Sequence, residues 1–223
     1  QTVEQVAKSA QALCPLPITH ISAYALKLER GVPMYGAEQP DEQTDRAMFY
    51  TLRDILAEKG FARYEISNFA KPSYECRHNL KYWRFSDYLG FGASAHSFMG
   101  GVRFSNIADI KKYIRVMENQ DLARNCRLGG SEVIGADCVD WFHVNTVRDS
   151  AGEYTFTALR TRRGVILPEF AKKFKCEFWE MFLEEKPEFE TFVRQEYAVS
   201  DSHHIALTKK GIDISNKIMA LFV

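Results

Sequence analysis

The chain has 223 residues, of which 46% are hydrophobic and 26% are charged, as in an ordinary globular protein. Its 29 basic and 29 acidic side chains cancel, so bulk charge argues against a nucleic-acid-binding protein. No apolar run approaches the roughly 20 residues that a membrane helix needs, and the first residues lack a signal-peptide pattern. The five cysteines form no CxxC pattern, so we expect a cytoplasmic protein with reduced thiols.

The first part of the chain alternates between helix and strand patterns. Helical spacing of apolar residues from Val3 to Leu13 stops at Pro15. A short apolar strand is expected over residues 19–26, and a second over residues 61–66. Between them, Asp41 is expected to cap a helix that ends near Gly60. This alternation indicates βαβ units with a parallel sheet, and therefore an α/β fold.

The rest of the chain has shorter elements. We expect strands at residues 88–94 and 102–104, an amphipathic helix at residues 107–117, helices at residues 154–162, 167–174, 178–183 and 189–194, a strand at residues 204–207 and a last helix at residues 208–221. Residues 119–150 lack a clear period, and Gly129-Gly130 interrupts them. The predicted domain limits are residues 1–120, a linker or insertion at 121–152, and a mostly helical domain at 153–223 that resembles a winged helix.

Two stretches carry a family resemblance: YEISNFAKPSYECRHNLKYW at residues 64–83 and YLGFGASAHSFMGGVRFSN at residues 88–106. The first contains an HNxxYW pattern, formed by His78, Asn79, Tyr82 and Trp83. Both stretches resemble the HemW-type haem chaperones, a branch of the radical S-adenosylmethionine (radical SAM) family that includes oxygen-independent coproporphyrinogen III oxidase. Further matches occur at HISAYAL, ERGVP, EYTFTALRTRRGV and LTKKGIDISN.

The resemblance implies that the chain is the C-terminal part of such a protein, holding the last part of an incomplete (β/α) barrel and a C-terminal HemN-type domain. Family members bind a [4Fe–4S] cluster through CxxxCxxC, which this sequence lacks. We therefore expect neither a cluster nor catalytic residues in this chain. Backbone at Leu26 and Lys27 would line S-adenosylmethionine, and the residues before Glu153 would include an insertion.

The residues around His78 suit haem binding chemically. A neutral imidazole is a common axial ligand of haem iron, and the Cys76 thiolate is an alternative ligand. Tyr74, Tyr82 and Trp83 offer flat apolar surfaces for a porphyrin. Arg77 and Lys81 carry charges that suit haem propionates. In the alternative interpretation, His78 and Asn79 only fix the loop after the strand, and the two aromatic residues belong to the core.

A second candidate group follows in the GFGASAHSF segment. Gly90 and Gly92 would let the backbone approach a ligand closely, and His96 would then face the same cavity. The alternative is a histidine at a strand end with no role in binding. The segment is not a GxGxxG motif, so it is weak evidence for phosphate binding.

Three functions remain open from the sequence. The first is a haem chaperone that passes haem or another porphyrin to a recipient haemoprotein. The second is oxygen-independent coproporphyrinogen III oxidase, an enzyme of porphyrin biosynthesis; the HNxxYW pattern favours the chaperone. The third is a winged-helix binding module, although the balanced charge argues against a nucleic-acid partner.

Overall fold

A computed structural model of the chain describes residues 1–119, 125–128, 131–134 and 138–223. The described chain divides into two compact units. The first contains residues 1–77 and 160–162, and the second contains residues 78–159 and 163–223. The predicted domain limits differ from this division and stay a prediction. Parts of the predicted linker or insertion, residues 121–124, 129–130 and 135–137, lie outside the described residues.

The first unit contains two long helices and three short strands. They are α1 (Val3–Leu13), β1 (His20–Ser22), α2 (Glu42–Glu58), β2 (Ala62–Arg63) and β3 (Asn68–Ala70). The predicted helices are confirmed together with the Asp41 cap, whose Oδ1 accepts a hydrogen bond of 2.7 Å from the Thr44 N–H. The hydrogen bonds from Thr44 lower the pKa of the Asp41 carboxyl, because they stabilise its charged form.

The predicted parallel sheet in this unit is wrong. Strand β3 lies between β1 and β2 and is antiparallel to both, pairing Ala70 with His20 on one side and with Ala62 on the other. β1 and β2 run in the same direction but are not neighbours. The chain reverses after β2 in a tight turn, where the Tyr64 N–H donates to the Asn68 carbonyl at 3.1 Å. The predicted strand over residues 19–26 is also shorter than expected, since β1 ends at Ser22.

A small apolar core holds the first unit together. Leu56, Phe61 and Phe69 are fully buried, and Ile21 is 7% exposed. Full burial of each such side chain contributes about 1.5–3 kcal/mol. This core fixes α2 on one face of the three-stranded sheet.

The second unit contains the remaining elements. They are α3 (Arg77–Trp83, which begins one residue before the unit), β4 (His96–Met99), β5 (Val102–Asn106), α4 (Ile110–Glu118), β6 (Asn125–Leu128), β7 (Ser131–Ile134), β8 (Val139–Val144), α5 (Val147–Leu159), β9 (Val165–Ile166), α6 (Leu167–Phe174), α7 (Phe178–Met181), α8 (Lys186–Arg194), β10 (Ala198–Ser200), β11 (His204–Leu207) and α9 (Ser215–Met219). Short 3₁₀ helices at Gly211–Ile214 and Ala220–Phe222 flank α9.

Three antiparallel sheets organise the described part of this unit. Their strand orders are β4-β5-β8, β6-β7 and β10-β11-β9. The strand predicted at residues 88–94 is instead a single bridge between Tyr88 and Phe98, and β4 follows it. The last helix predicted over residues 208–221 is interrupted, because Gly211 packs directly on the Tyr197 carbonyl at the start of a 3₁₀ turn.

The helices of the second unit enclose an aromatic core. The Phe170 ring lies 4.9 Å from Phe178 and 6.0 Å from Phe182, measured between centroids. Phe222 near the C-terminus packs on Phe182 at 4.9 Å. The same core receives Tyr154 of α5, 5.9 Å from Phe170. Helix α5 therefore connects the sheet β4-β5-β8 with this aromatic core, because it contacts both.

Helix α4 differs from the prediction in where it begins and in how exposed its apolar face is. The expected apolar face included Ile107, but the helix begins at Ile110, and Ile107 is buried in the preceding loop. Ile110 is 67% exposed and Ile114 is 47% exposed. A helical repeat of apolar residues predicts which side chains share a face, and it does not show that the face is covered. Among the described residues, no helix is both long and apolar enough to cross a membrane.

The first turn of α5 is stabilised by a reciprocal pair of hydrogen bonds. The Asp149 N–H donates to Thr146 Oγ1 at 3.1 Å, and the Thr146 N–H donates to Asp149 Oδ2 at 2.8 Å. Hydrogen bonding of the Asp149 carboxyl with the Thr146 N–H, and with the Thr146 side chain, lowers the pKa of that carboxyl. Its stabilising effect is therefore present above the pKa of the unfolded chain and is lost as pH falls through the lower folded value.

Replacing Thr146 with alanine should lower the free energy of unfolding by about 1 kcal/mol, the usual effect of losing a helix N-cap. Urea denaturation measures this change. Val147→Ala is the matched control: Val147 is 62% exposed in the same turn and should change stability by no more than about 0.5 kcal/mol. In Asp149→Asn, the loss relative to the wild type should disappear at acidic pH. A Thr146→Ala variant as stable as the control would contradict the cap.

Candidate functional site

Helix α3 places His78 and Tyr82 one turn apart on the same helix face. The Tyr82 hydroxyl lies 3.0 Å from His78 Nε2, and the two rings meet edge to face with centroids 5.0 Å apart. His78 is exposed, whereas Tyr82 is half-buried. The i, i+4 spacing of the HNxxYW pattern produces this contact directly, because residues four apart are neighbours on a helix.

A second tyrosine supports Tyr82 from behind. The Tyr88 ring lies 4.5 Å from the Tyr82 ring. The Tyr88 backbone is held by two hydrogen bonds with Phe98 of β4, of 2.8 and 3.0 Å. Phe98 in turn packs on the buried Phe85, with centroids 4.5 Å apart. The aromatic face next to His78 is thus anchored to the sheet.

An ion pair lies at the far end of this aromatic row. Arg103 of β5 forms two hydrogen bonds with Glu153 of α5, of 2.7 Å from Nε and 2.8 Å from Nη2. Asn145 Nδ2 donates to the same carboxylate at 2.9 Å. Arg103 Nη1 also donates to the Tyr88 hydroxyl at 3.4 Å. Burial lowers the pKa of the Arg103 guanidinium, but the hydrogen bonds and charge of Glu153 outweigh that effect and leave the pKa raised.

The other predicted haem-site residues lie in or beside α3. Asn79 and Trp83 are half-buried, and Arg77 is exposed. Cys76 precedes the helix and is a half-buried free thiol in the first unit, where its N–H donates to the Tyr64 hydroxyl at 3.4 Å. That hydroxyl also lies 2.9 Å from His20 Nε2. The role of all these residues in binding stays a prediction.

The glycine segment is tied to the protein's own backbone. A Cβ at Gly90 would collide with the His96 carbonyl, and Asn106 Nδ2 donates to the carbonyls of Gly90 and Gly92 at 3.3 and 2.9 Å. The absence of a side chain at Gly90 therefore serves packing against β4. His96 is exposed at the start of that strand. Its predicted place in a binding pocket stays untested.

The predicted S-adenosylmethionine-lining backbone lies in the first unit. Leu26 and Lys27 follow β1 in a segment that is neither helix nor strand, and Leu26 is 64% exposed. Across the described residues, no three His, Cys, Asp or Glu side chains cluster as metal ligands would. An iron–sulfur cluster needs several thiolates together. The side chains of the described residues do not fit that requirement.

Sequence reasoning missed the residues that anchor the site: Tyr88, Arg103, Asn145 and Glu153. Arg103 and Glu153 are 50 positions apart in the chain, so no local pattern links them. Tyr88 and Arg103 lie in one resembling stretch, and Glu153 begins another. A signal existed there, since charged residues within family-like stretches are candidates for ion pairs.

No family model matches the chain. The haem chaperone HemW of Lactococcus lactis subsp. lactis (strain IL1403) is 27% identical over 229 residues, covering 100% of this chain and 55% of that protein. HemW of Buchnera aphidicola subsp. Schizaphis graminum is 30% identical with the same coverage. HemW of Escherichia coli (strain K12) is 36% identical over 99 residues, covering 43% of this chain and 26% of that protein.

A solved structure agrees in fold. Coproporphyrinogen III oxidase (HemN) from Escherichia coli, described as a radical SAM enzyme, superposes with a TM-score of 0.74. It is 18% identical, and the match covers 100% of this chain and 52% of that one. The chain spans about half the length of the curated relatives it matches. The chain thus resembles the HemW-type haem chaperones in sequence over its whole length, and it shares a mixed α/β fold with HemN.

Proposed function

We propose that this chain is part of a haem chaperone and that it binds haem at the exposed face of α3. The observation that carries the proposal is the exposed imidazole of His78 beside the anchored rings of Tyr82 and Tyr88. An imidazole next to flat aromatic surface provides both an iron ligand and a contact for the porphyrin plane. The names of the relatives, which are haem chaperones, point the same way.

The charges on α3 suit the rest of a haem molecule. Arg77 and Lys81 are exposed, four positions apart on the helix. Haem carries two propionates, which pair well with cations at the solvent edge of a site. We propose that these two side chains hold the propionates while His78 takes the iron. Asn79 and Trp83 complete the site from the same helix, and Cys76 is the alternative ligand.

The proposal includes a protein larger than this chain. The [4Fe–4S] cluster and S-adenosylmethionine of the radical SAM family would be held mainly by residues beyond those described, with Leu26 and Lys27 lining the nucleoside. This chain alone would then be inactive as an oxidase. A recipient haemoprotein and a cytoplasmic setting are parts of the same proposal; the four described cysteines are free thiols.

We also propose how the fold relates to the family. β1, α2 and β2 correspond to the end of an incomplete (β/α) barrel, because β1 and β2 run in the same direction with α2 connecting them. The order α5, β9, α6, α8, β10, β11 supports a winged-helix-like C-terminal domain, with β10 and β11 as the hairpin. Because the basic and acidic side chains of the chain balance, we propose that this domain binds a protein partner and not a nucleic acid.

Haem titration of the chain tests His78. We expect His78→Ala to weaken haem binding at least about tenfold, since even losing a hydrogen-bond partner of a metal ligand costs about 10–100-fold. The Soret band should also change. His203→Ala is the matched control, because His203 is an exposed histidine of the same unit outside both candidate segments, and it should leave binding unchanged. Equal affinity and an unchanged Soret band in His78→Ala would remove His78 as the ligand.

A further inference from the structure

The contact between His78 and Tyr82 occupies the nitrogen that iron would use. Nε2 is the outer nitrogen of the imidazole ring, and it lies 3.0 Å from the Tyr82 hydroxyl. A neutral imidazole has one N–H donor and one acceptor nitrogen. A phenol is the better acid of the two groups and the imidazole the better base. The contact therefore favours the tautomer with the imidazole proton on Nδ1, in which the Tyr82 O–H donates to Nε2.

Tyr82 is held where this hydrogen bond forms. Its ring packs on Tyr88 at 4.5 Å with an interplanar angle of 69°. Tyr88 is fixed twice, through its backbone pairing with Phe98 and through its hydroxyl, which accepts from Arg103. Arg103 is fixed in turn by its two hydrogen bonds to Glu153. These contacts run from Tyr82 through Tyr88 to β4, β5 and α5. They hold the Tyr82 hydroxyl in the position where it contacts His78.

We propose that Tyr82 is a positioning residue that occupies the Nε2 lone pair of His78 in the haem-free protein, so that haem iron must displace the Tyr82 hydroxyl to bind. The proposal rests on the proposed function, since it assigns a second role at the same site. In the haem-free protein, the Tyr82 hydroxyl is then the hydrogen-bond partner of His78 Nε2.

This arrangement suits a protein that must give its ligand away. When iron leaves Nε2, the Tyr82 hydroxyl takes its place, and the imidazole is not left without a hydrogen bond. The exchange lowers the affinity for haem and assists release. A site built only for tight retention would instead have the partner on Nδ1, where it orients the ring and strengthens the ligand.

The test is Tyr82→Phe, which removes one oxygen and keeps the ring that packs on Tyr88. We expect haem to bind about two- to tenfold more tightly, because a single hydrogen bond no longer competes with iron. Transfer of haem to apomyoglobin should slow by a similar factor. Tyr35→Phe is the control, since Tyr35 is 54% exposed and lies outside the candidate site; it should leave both quantities unchanged. In the His78→Ala background, Tyr82→Phe should have no effect on affinity.

A second readout needs no haem. Long-range ¹H–¹⁵N correlation spectra of the haem-free chain report which nitrogen of His78 carries the proton. We expect Nδ1–H in the wild type and a shift of the population toward Nε2–H in Tyr82→Phe, with no shift in Tyr35→Phe. An unchanged tautomer in Tyr82→Phe, or haem binding that weakens, would overturn the role of Tyr82. Haem binding independent of His78 would instead overturn the proposed function, while the tautomer experiment still decides whether Tyr82 holds His78.

Discussion

Replacing Phe170 with alanine is expected to lower the free energy of unfolding by about 3–5 kcal/mol, the largest effect among our predictions. Phe170 is fully buried. Its ring lies 4.7 Å from Phe174 and 4.9 Å from Phe178. These neighbours sit on α6 and α7 and also pack on other rings, so they cannot easily move into the space that alanine leaves. The lost burial and the remaining cavity therefore both destabilise the unit.

Phe91→Ala is the matched control for this prediction. Phe91 is the same residue type in the same unit, but it is 86% exposed. Its removal should change stability by no more than about 0.5 kcal/mol. Chemical denaturation followed by circular dichroism measures both variants. A Phe170→Ala protein with the midpoint of the control would show that the aromatic core does not hold the second unit together.

The elements that were predictable have local causes. Helix α1 begins after Thr2, which forms a capping box with Gln5, and it ends just before Pro15. Helix α6 and strand β11 were predicted with the bounds that they have, Leu167–Phe174 and His204–Leu207. In these cases the start, the stop and the apolar period all lie within a few residues of each other.

The sheet of the first unit was predicted incorrectly because its turn carries no common signal. Residues 64–67 connect β2 to β3 without Gly, Pro or Asn-Gly, which usually mark a hairpin. The buried Glu65 side chain makes the turn instead, since its Oε1 accepts from the Ser67 N–H at 3.0 Å. A strand followed by such a turn looks continuous in sequence, and β3 is therefore missing from the predicted strands.

The candidate site also has a part that the sequence predicts and a part that it does not. The pairing of His78 with Tyr82 follows from i, i+4 spacing, once residues 77–83 are taken as a helix. Its support by Tyr88 requires the bridge to Phe98, and that of Tyr88 requires Arg103 and Glu153. These contacts join β4, β5 and α5. Sequence periodicity describes one element at a time, so it cannot predict which elements bring such residues together.

Removing either partner of the Arg103–Glu153 pair is expected to destabilise the second unit by about 2–3 kcal/mol, because hydrogen bonds to charged groups contribute about 1.5–3 kcal/mol. The Arg103 side chain is 30% exposed and that of Glu153 is 26% exposed, so the remaining charge stays partly shielded from water. A double-mutant cycle with Arg103→Ala and Glu153→Ala should give a coupling energy of about 1–3 kcal/mol.

The matched control is the pair Arg163 and Glu169. It joins the same residue types in the same unit, but the side chains are 56% and 51% exposed. Its coupling energy should be below about 1 kcal/mol and should fall further in high salt, whereas that of Arg103 and Glu153 should change little. Equal coupling in the two pairs would show that the geometry of Arg103 and Glu153 adds nothing beyond surface attraction.

The same cycle connects stability with the candidate site. Arg103 is the residue that holds the Tyr88 hydroxyl, and Tyr88 supports the ring of Tyr82. Arg103→Ala should therefore also shift the His78 tautomer toward Nε2–H, in the direction of Tyr82→Phe but by less, because the Tyr82 hydroxyl is still present. Arg163→Ala should leave the tautomer unchanged. Phe170→Ala, which should lower the stability of the same unit at least as much, should also leave the tautomer unchanged. A shift in Arg103→Ala that is absent from Arg163→Ala and Phe170→Ala would establish that the ion pair acts on His78 through the two tyrosines and not by general loosening of the unit.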